Sequence, residues 1–405
     1  MKANTHNDFD RNRLSSHFVY ESYDETNQLF FNRGSIGFVL KGWPLVGASM
    51  QEQGEISEFL KEEDNLPQGA AFQVMMIGTS HIHGYLNYWR SVREGEIFQK
   101  LAKRRTDFLK KIALDSGTIK DVYLLIAITI PTKSANVEMI AEMQRRREVL
   151  STTLHSIGLA TNIVNSSELL EILRLFFGWE IHSQPPYNPY DLISEQILSG
   201  DFQMDVTPDQ LIIQGDESEI CHKVYSKAEV ICTKNENKKN SAQQSHANPF
   251  AIVAIESAKR PKNWQLSMMD LFIGNEMRRG EQIHSDFIQS FSLQILPRQT
   301  WEVSNAIAKR ESLLKNMRSG LAKWLPNLDD EYEDMDKAVV SLQQGDRMVL
   351  LQQNVILKDR LDKIRERTHG YRSMMRRNGF YFVPCTADHL PVVLSCLPMQ
   401  GVEAL

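Results

Sequence analysis

No G-x-x-x-x-G-K-[ST] loop occurs anywhere in these 405 residues. That loop sets backbone N–H groups around phosphates, a lysine on their charge and a hydroxyl on magnesium. Without it, nucleotide hydrolysis by this chain alone is not expected. Gly34-Ser35 has no following Gly-Lys, and Gly320-Leu321-Ala322-Lys323 lacks both the spacing and the Ser/Thr. The G-x-S-x-G elbow and the G-x-G-x-x-G fingerprint are missing too, which removes two common hydrolase and dinucleotide signatures. Cysteine is scarce. Cys221, Cys232, Cys385 and Cys396 contain no C-x-x-C pair, so neither a zinc ribbon nor a dense disulfide framework is indicated and reduced thiols are expected. The longest apolar run, Val122–Pro131, falls well short of the roughly 20 residues that cross a bilayer as a helix and reads as a buried strand. Polar Met1–Arg13 has no apolar signal-peptide core. Positive charge is not in excess either: the net charge of -5 argues against a dedicated nucleic-acid binder.

What is present is globular. Hydrophobic residues make up 42% and charged residues 24%, and the length suits two domains. Gln28–Asn32 and Ile36–Leu40 read as a hairpin around Gly34, where a tight turn favours positive φ. Gln51–Lys61 follows as a helix by its apolar spacing. Ala71–Ile77 is a strand, Glu94–Lys111 a charged helix, and Val122–Ile130 a second buried strand. Val137–His155 is a helix with Ser134 as cap and Gly158 as stop; Thr161–Val164 is a strand and Glu168–Phe177 a helix. Pro185, Pro186 and Pro189 interrupt regular structure and mark a boundary. Short strands at Leu211–Ile213 and Ala228–Cys232 precede a polar stretch, Lys234–Asn248.

The second half then repeats the first order. Phe250–Glu256, Phe287–Leu296, Arg347–Leu357 and Phe380–Val383 read as strands. Trp264–Phe272, Thr300–Leu321, Asp330–Gln343, Asp359–Arg377 and His389–Leu397 read as helices. The expected fold class is α+β: two successive ferredoxin-like (β-α-β, β-α-β) sheet-and-helix units with inserted helices and a hairpin. The domains are 1–182, a boundary region 183–249, 250–385, and a connector 386–405.

Few residues carry chemistry. His81 and His83, two apart on a strand, would share a face and could ligate one ion, but no third ligand stands at a recognisable spacing. Two polar histidines closing a strand is the simpler reading. Cys221-His222 with Cys232 has the same standing. Lys358 to Arg377 carries eight Lys/Arg against three acidic residues. Lys358, Arg360, Lys363, Arg367, Arg372, Arg376 and Arg377 form a candidate interaction surface for phosphate groups. No aromatics are interleaved as base stacking would want, so a solvated face is the plainer alternative. Lys103, Arg104, Arg105, Lys110 and Lys111 make a second basic helix, and Asp329–Asp336 is an acidic counterpart.

Four segments carry a resemblance. Phe18–Ser49 reads FVYESYDETNQLFFNRGSIGFVLKGWPLVGAS; Lys323-Trp324-Leu325-Pro326 ends a helix; Arg376-Arg377-Asn378-Gly379-Phe380 joins helix to strand; Leu394–Met399 reads LSCLPM. In this order they resemble the amino-terminal, non-catalytic region of the TraC-type ATPases of F-like, VirB-related conjugative type IV secretion systems. The resemblance implies a cytoplasmic region docked peripherally on the inner membrane through components of the secretion platform. It also implies self-association of the parent protein. The family's Walker motifs follow the LPM segment, so ATP and magnesium are expected only for a motor domain beyond Leu405 and no cofactor for this chain. The alternative is a stand-alone regulatory or nucleic-acid-binding protein using the basic helix 358–377, although direct nucleic-acid binding is not what the resemblance implies.

Overall fold

Turn chemistry and capping explain where the first elements begin and end. A computed structural model describes residues 14–45, 47, 49–177, 184–198, 203–207, 210–214, 222–225, 250–261, 270–274, 278, 280–319, 327–360, 362–385 and 388–401. Strands β1 (Tyr20–Asp24), β2 (Leu29–Asn32) and β3 (Ser35–Gly42) form a meander, with Gly34 at φ +76° supplying the β2–β3 turn. Helix α1 (Met50–Lys61) starts at a capping box between Ser49 and Glu52. Then come β4 (Ala71–Thr79), α2 (His83–Ser91), α3 (Glu96–Ser116) and β5 (Asp121–Pro131). Helix α4 (Val137–Ser156) is capped by Asn136, whose side chain accepts from Met139 N. Ser134 was the expected cap; Asn136 stands one residue before the helix, where its side chain reaches the third helical N–H. Strand β6 (Thr161–Ile163) and helix α5 (Ser166–Phe176) complete the first half.

The second half contains β7 (Gln203–Thr207), β8 (Gln210–Gln214), β9 (His222–Tyr225), β10 (Phe250–Lys259), α6 (Asp270–Ile273), β11 (Asp286–Ile295), α7 (Gln299–Arg318) and α8 (Leu328–Gln343). It closes with β12 (Val349–Arg360), α9 (Ile364–Arg377), β13 (Tyr381–Pro384) and α10 (His389–Ser395). The strand expected at Ala228–Cys232, the stretch Lys234–Asn248, most of Trp264–Phe272, Lys323–Pro326, and Cys221 and Cys232 lie outside the described residues.

Strand pairing gives the repeat a definite topology. In the first half the order is β6-β3-β5-β4, and in the second β13-β10-β12-β11, with every neighbour antiparallel. Counted within each half, both orders are 4-1-3-2, the split βαβ order of ferredoxin-like folds. In each half a helical hairpin, α2–α3 or α7–α8, interrupts the link between the second and third strands. The halves meet edge to edge through β4 and β11, antiparallel from Phe287↔Gly78 to Gln294↔Ala71. One continuous sheet results, and the second strand of each half loses its open edge. Because β4 and β11 run antiparallel, the two helical hairpins leave the sheet at opposite ends.

Alternating side chains divide the core. On one face Phe38, Leu40, Phe72, Ile126, Phe287 and Leu357 pack under α1, α4, α6 and α9. On the other face Val39, Met75, Leu125, Ala254, Ile288 and Ile356 are covered by α5, the 3₁₀ turns Leu14–His17 and Ile193–Gln196, and α10. The molecule is therefore layered as helices, sheet, and a cover of short helical segments.

Candidate functional site: the carboxyl-terminal segment on the polar seam

Where β4, β11 and β12 run side by side, the apolar alternation of the second face is broken by polar residues. Gln73 stands opposite Ser292, and Ser290 opposite Asn354; all four side chains are buried. Buried polar groups must find partners or be costly, and here α10 and the residues after it supply them. Gln73 Nε2 donates to the carbonyls of Ser395 (2.8 Å) and Leu397 (3.1 Å) and to Ser290 Oγ (3.0 Å). Its Oε1 accepts from Met399 N at 3.0 Å. Asn354 Nδ2 donates to Ser395 Oγ at 2.9 Å, and Ala254 N donates to His389 Nε2 at 3.1 Å.

The opening motif reaches the closing one. Tyr20 Oη donates to the Pro398 carbonyl at 2.6 Å, and Asn32 Nδ2 lies 3.7 Å from Met399 Sδ. Met399 itself sits at φ +62°, a left-handed conformation that costs a side-chain-bearing residue energy. Close approach needs glycine nearby: a Cβ at Gly37 would stand 3.0 Å from Met399 Sδ and 2.8 Å from the Ile128 carbonyl. The motifs Phe18–Ser49 and Leu394–Met399, far apart in the chain, thus form one site. Sequence reading missed Gln73, Ser290, Ser292 and Asn354. Their signal was available as polar residues at inward positions of strands that are otherwise apolar.

Chemically the site is an anchor. Cys385 and Cys396 are buried free thiols, and burial pushes both well above the ordinary thiol range, which keeps them protonated and unreactive. Among the described residues no group of three His, Cys, Asp or Glu could hold a metal ion. The strand expected to carry His81 and His83 ends at Thr79. Asp286 turns the chain aside by accepting from Ser80 N at 2.7 Å and from Ser80 Oγ at 3.2 Å. His81 consequently lies in a loop and His83 opens α2, so the shared strand face does not exist.

The seven basic candidates do not share one helix. Helix α9 begins at Ile364, so Lys358 and Arg360 belong to β12, whose ladder with β10 continues to Arg360. Lys358 is buried and donates to the Leu175 carbonyl at 2.7 Å. Arg360 pairs with Asp362, and Lys363 reaches the Asp115 carbonyl. Arg367 binds Asp359 and the His284 carbonyl. Arg372 donates to the Phe382 carbonyl and Arg377 to the Gly280 carbonyl, while Arg376 lies over the Tyr381 ring. Each side chain thus already has a contact within the chain.

Lys358 carries a pH signature. Burial lowers its pKa from 10.5 to about 8. Between those values the folded chain binds fewer protons than the unfolded one, so this group makes stability rise with pH across that window. At about 1.36 kcal/mol per unit the rise is on the order of 3 kcal/mol. Relative to Lys358→Met, wild-type stability should therefore rise by on the order of 3 kcal/mol as pH is raised from 8 to 10.5, measured by denaturant unfolding at fixed pH steps. A difference that stays constant over that range would contradict the burial argument.

Fold and seam together define a class: a doubled α+β sheet domain that clamps its own carboxyl-terminal segment across the joint between its halves. Within that class, a family model described as TraC protein matches residues 14–400. The chain belongs to the TraC family, components of conjugative type IV secretion. It is similar to Protein TraC of Escherichia coli (strain K12), with 21% identity over 407 aligned positions, 95% of this chain and 43% of that protein. The chain thus spans less than half the length of the curated relative it matches. Among the described residues, no helix is long and apolar enough to cross a membrane.

Proposed function

We propose that this chain is the amino-terminal docking and assembly region of a TraC-type ATPase, binding the inner-membrane platform of a conjugative type IV secretion system. The observation that supports it is the seam. Residues 389–401 are tied to both halves of the sheet through Gln73, Ser290 and Asn354. A domain continuing from that segment would be held against the scaffold instead of swinging on a linker. Nucleotide turnover belongs, in this reading, to the parent protein's motor and not to this chain. Membrane association is peripheral and runs through platform partners.

Two measurements test the reading together. Purified chain should hydrolyse ATP only at background rate, and it should co-sediment with membranes containing the secretion components but not with membranes lacking them. Equal recovery from both membranes would sink the docking idea. Turnover above background that copurifies with the chain would sink the division of labour.

A further inference from the structure

We propose that the outer edge of β12 over Val349–Gln353 is a strand-addition site. Its occupant is an extended peptide segment of another protein, apolar at alternate positions and basic at one end. This inference does not rest on platform docking and would survive its failure.

Strand β12 pairs with β11 from Val349 to Lys358, but on its other side the ladder to β10 stops at Asn354↔Glu256. Past Glu256, β10 keeps only β13 as a neighbour, across a register shift between Ser257 and Lys259, the kind of irregularity that bends a strand. The two strands part there, and no described strand lies along the outer side of Val349–Gln353. Alternation fixes which backbone groups are left open. Ile295 of β11 accepts from Gly69 N and donates to the Ala70 carbonyl, on its β4 side. Gln294 therefore bonds toward β12, and its opposite, Leu350, bonds toward β11. Val349 and Leu351 turn their N–H and C=O outward, where no described strand takes them.

Side chains make this edge unusual. Val349, Leu350 and Leu351 are 38%, 41% and 40% exposed, three large apolar residues in succession. An open apolar edge is a template for another strand, and proteins blunt such edges with lysine, proline, charge or a bulge. The stretch VLLQQ carries none of these. Strand β1, at one end of the sheet, shows the contrast: it carries Glu21 and Asp24 and a register shift between Tyr20 and Ser22. Where β10 leaves, Gln353 is buried with neither side-chain amide atom hydrogen-bonded, a cost that a strand laid alongside can relieve.

Charge selects the occupant. At the fork between β10 and β12 a cavity of about 230 Å³ is lined by Glu256, Ser257, Gln352, Asp388, Pro391 and Val392. Arg260 stands on the same cavity, yet Glu256 and Asp388 have no ion-pair partner among the described residues. Burial first, and the Asp388 charge second, hold the Glu256 carboxyl above its ordinary range, so the pair lacks a cation. A lysine or arginine at one end of the added segment supplies it, whereas a phosphate surface is repelled. Backbone pairing then provides affinity, while alternate side chains and the end charge provide selection.

The probe is a fluorescent, end-capped peptide, KVTVTVK, titrated with the whole chain and read by anisotropy, with hydrogen exchange followed at the Val349 and Leu351 amides. It should bind saturably and slow exchange at both amides. N-methylation of every second peptide amide should weaken binding about tenfold or more in one of its two registers, because ladder hydrogen bonds are lost. Leu351→Pro removes an outward N–H and no ladder N–H, and should cost as much. Glu256→Lys with Asp388→Lys should reject this peptide and take EVTVTVE in its place, because the end charges are exchanged. Circular dichroism verifies that each variant is folded, and the methylated peptides test the wild-type chain without any substitution. Absence of saturable binding overturns the proposal. So does binding unchanged by methylation in both registers, exchange at the two amides that the peptide leaves unaltered, or a charge-reversed chain that keeps the original preference. Concentration-dependent protection of the same amides without peptide overturns it as well, because a second copy would then be the occupant.

Discussion

Gln73→Ala is expected to lower stability by about 1–3 kcal/mol, the cost of a buried polar group left unpaired, with the void left by the side chain adding to it. Gln73 touches both the β11 hydroxyl of Ser290 and the backbone of α10 and the residues after it. Truncation strands the buried Met399 amide, while the Leu397 carbonyl keeps Gln400 N at 3.3 Å and Ser290 keeps a contact with Ser292 at 3.3 Å. Met399 is already held in a left-handed conformation, so losing its amide partner removes one of the restraints that keep it there. A domain's whole stability is about 5–15 kcal/mol, so this single change consumes a large part of it. Denaturant midpoints give the magnitude, and hydrogen exchange at the Met399 amide locates the effect. Gln73→Glu should be no milder, since its carboxylate loses the donors and faces two carbonyls. A loss under about 1 kcal/mol with Met399 still protected would show that the seam does not hold the segment.

The second large effect is expected at the joint between the halves. Gly78 on β4 stands opposite Phe287 on β11, and a Cβ there would lie 2.3 Å from Phe287 Cε1 and 2.5 Å from Cζ. The ring cannot step aside, because Phe287 is wholly buried among side chains at close-packed density. Overfilling a core site costs about 1–3 kcal/mol. Gly78→Val should exceed that range, because both γ-methyls add to the overlap and β4–β11 is the main junction between the halves. Thermal unfolding should shift downward by several degrees or more. The specific check is a double-mutant cycle: Phe287→Leu should recover part of the loss caused by Gly78→Ala, since it removes the atoms in conflict. Purely additive losses would mean that the overlap with Phe287 is not the cause.

Local patterns carried much of the secondary structure into view. The β2–β3 hairpin, α1, β4, β5, α4 and α9's Asn378-Gly379 exit were legible because turns, caps and periods act over a few residues. The doubling was legible as an order of elements. Boundaries slipped where a longer-range partner intervened: Lys358 and Arg360 read as helix because the charge pattern is helical, yet β10 draws them into its ladder. His81 and His83 failed as a strand pair because Asp286, about 200 positions away in the chain, ends β4 at Thr79. The seam was the least legible feature. Gln73, Ser290 and Asn354 look like misplaced polar residues until α10 lies across them.

The amino-acid sequence by itself determined that this is an α+β chain of two similar halves, with no phosphate loop and with motifs in TraC order. Such properties depend on residue identity and short spacing alone. Tertiary structure decided that the halves share one sheet through β4 and β11, and that the first and last motifs meet at Tyr20 and Pro398. It also decided that the two charged hairpins point away from each other. The physical reason is that strand order and face-to-face burial are settled by contacts between residues hundreds of positions apart. No local pattern encodes which distant partner a strand edge or a buried amide will find.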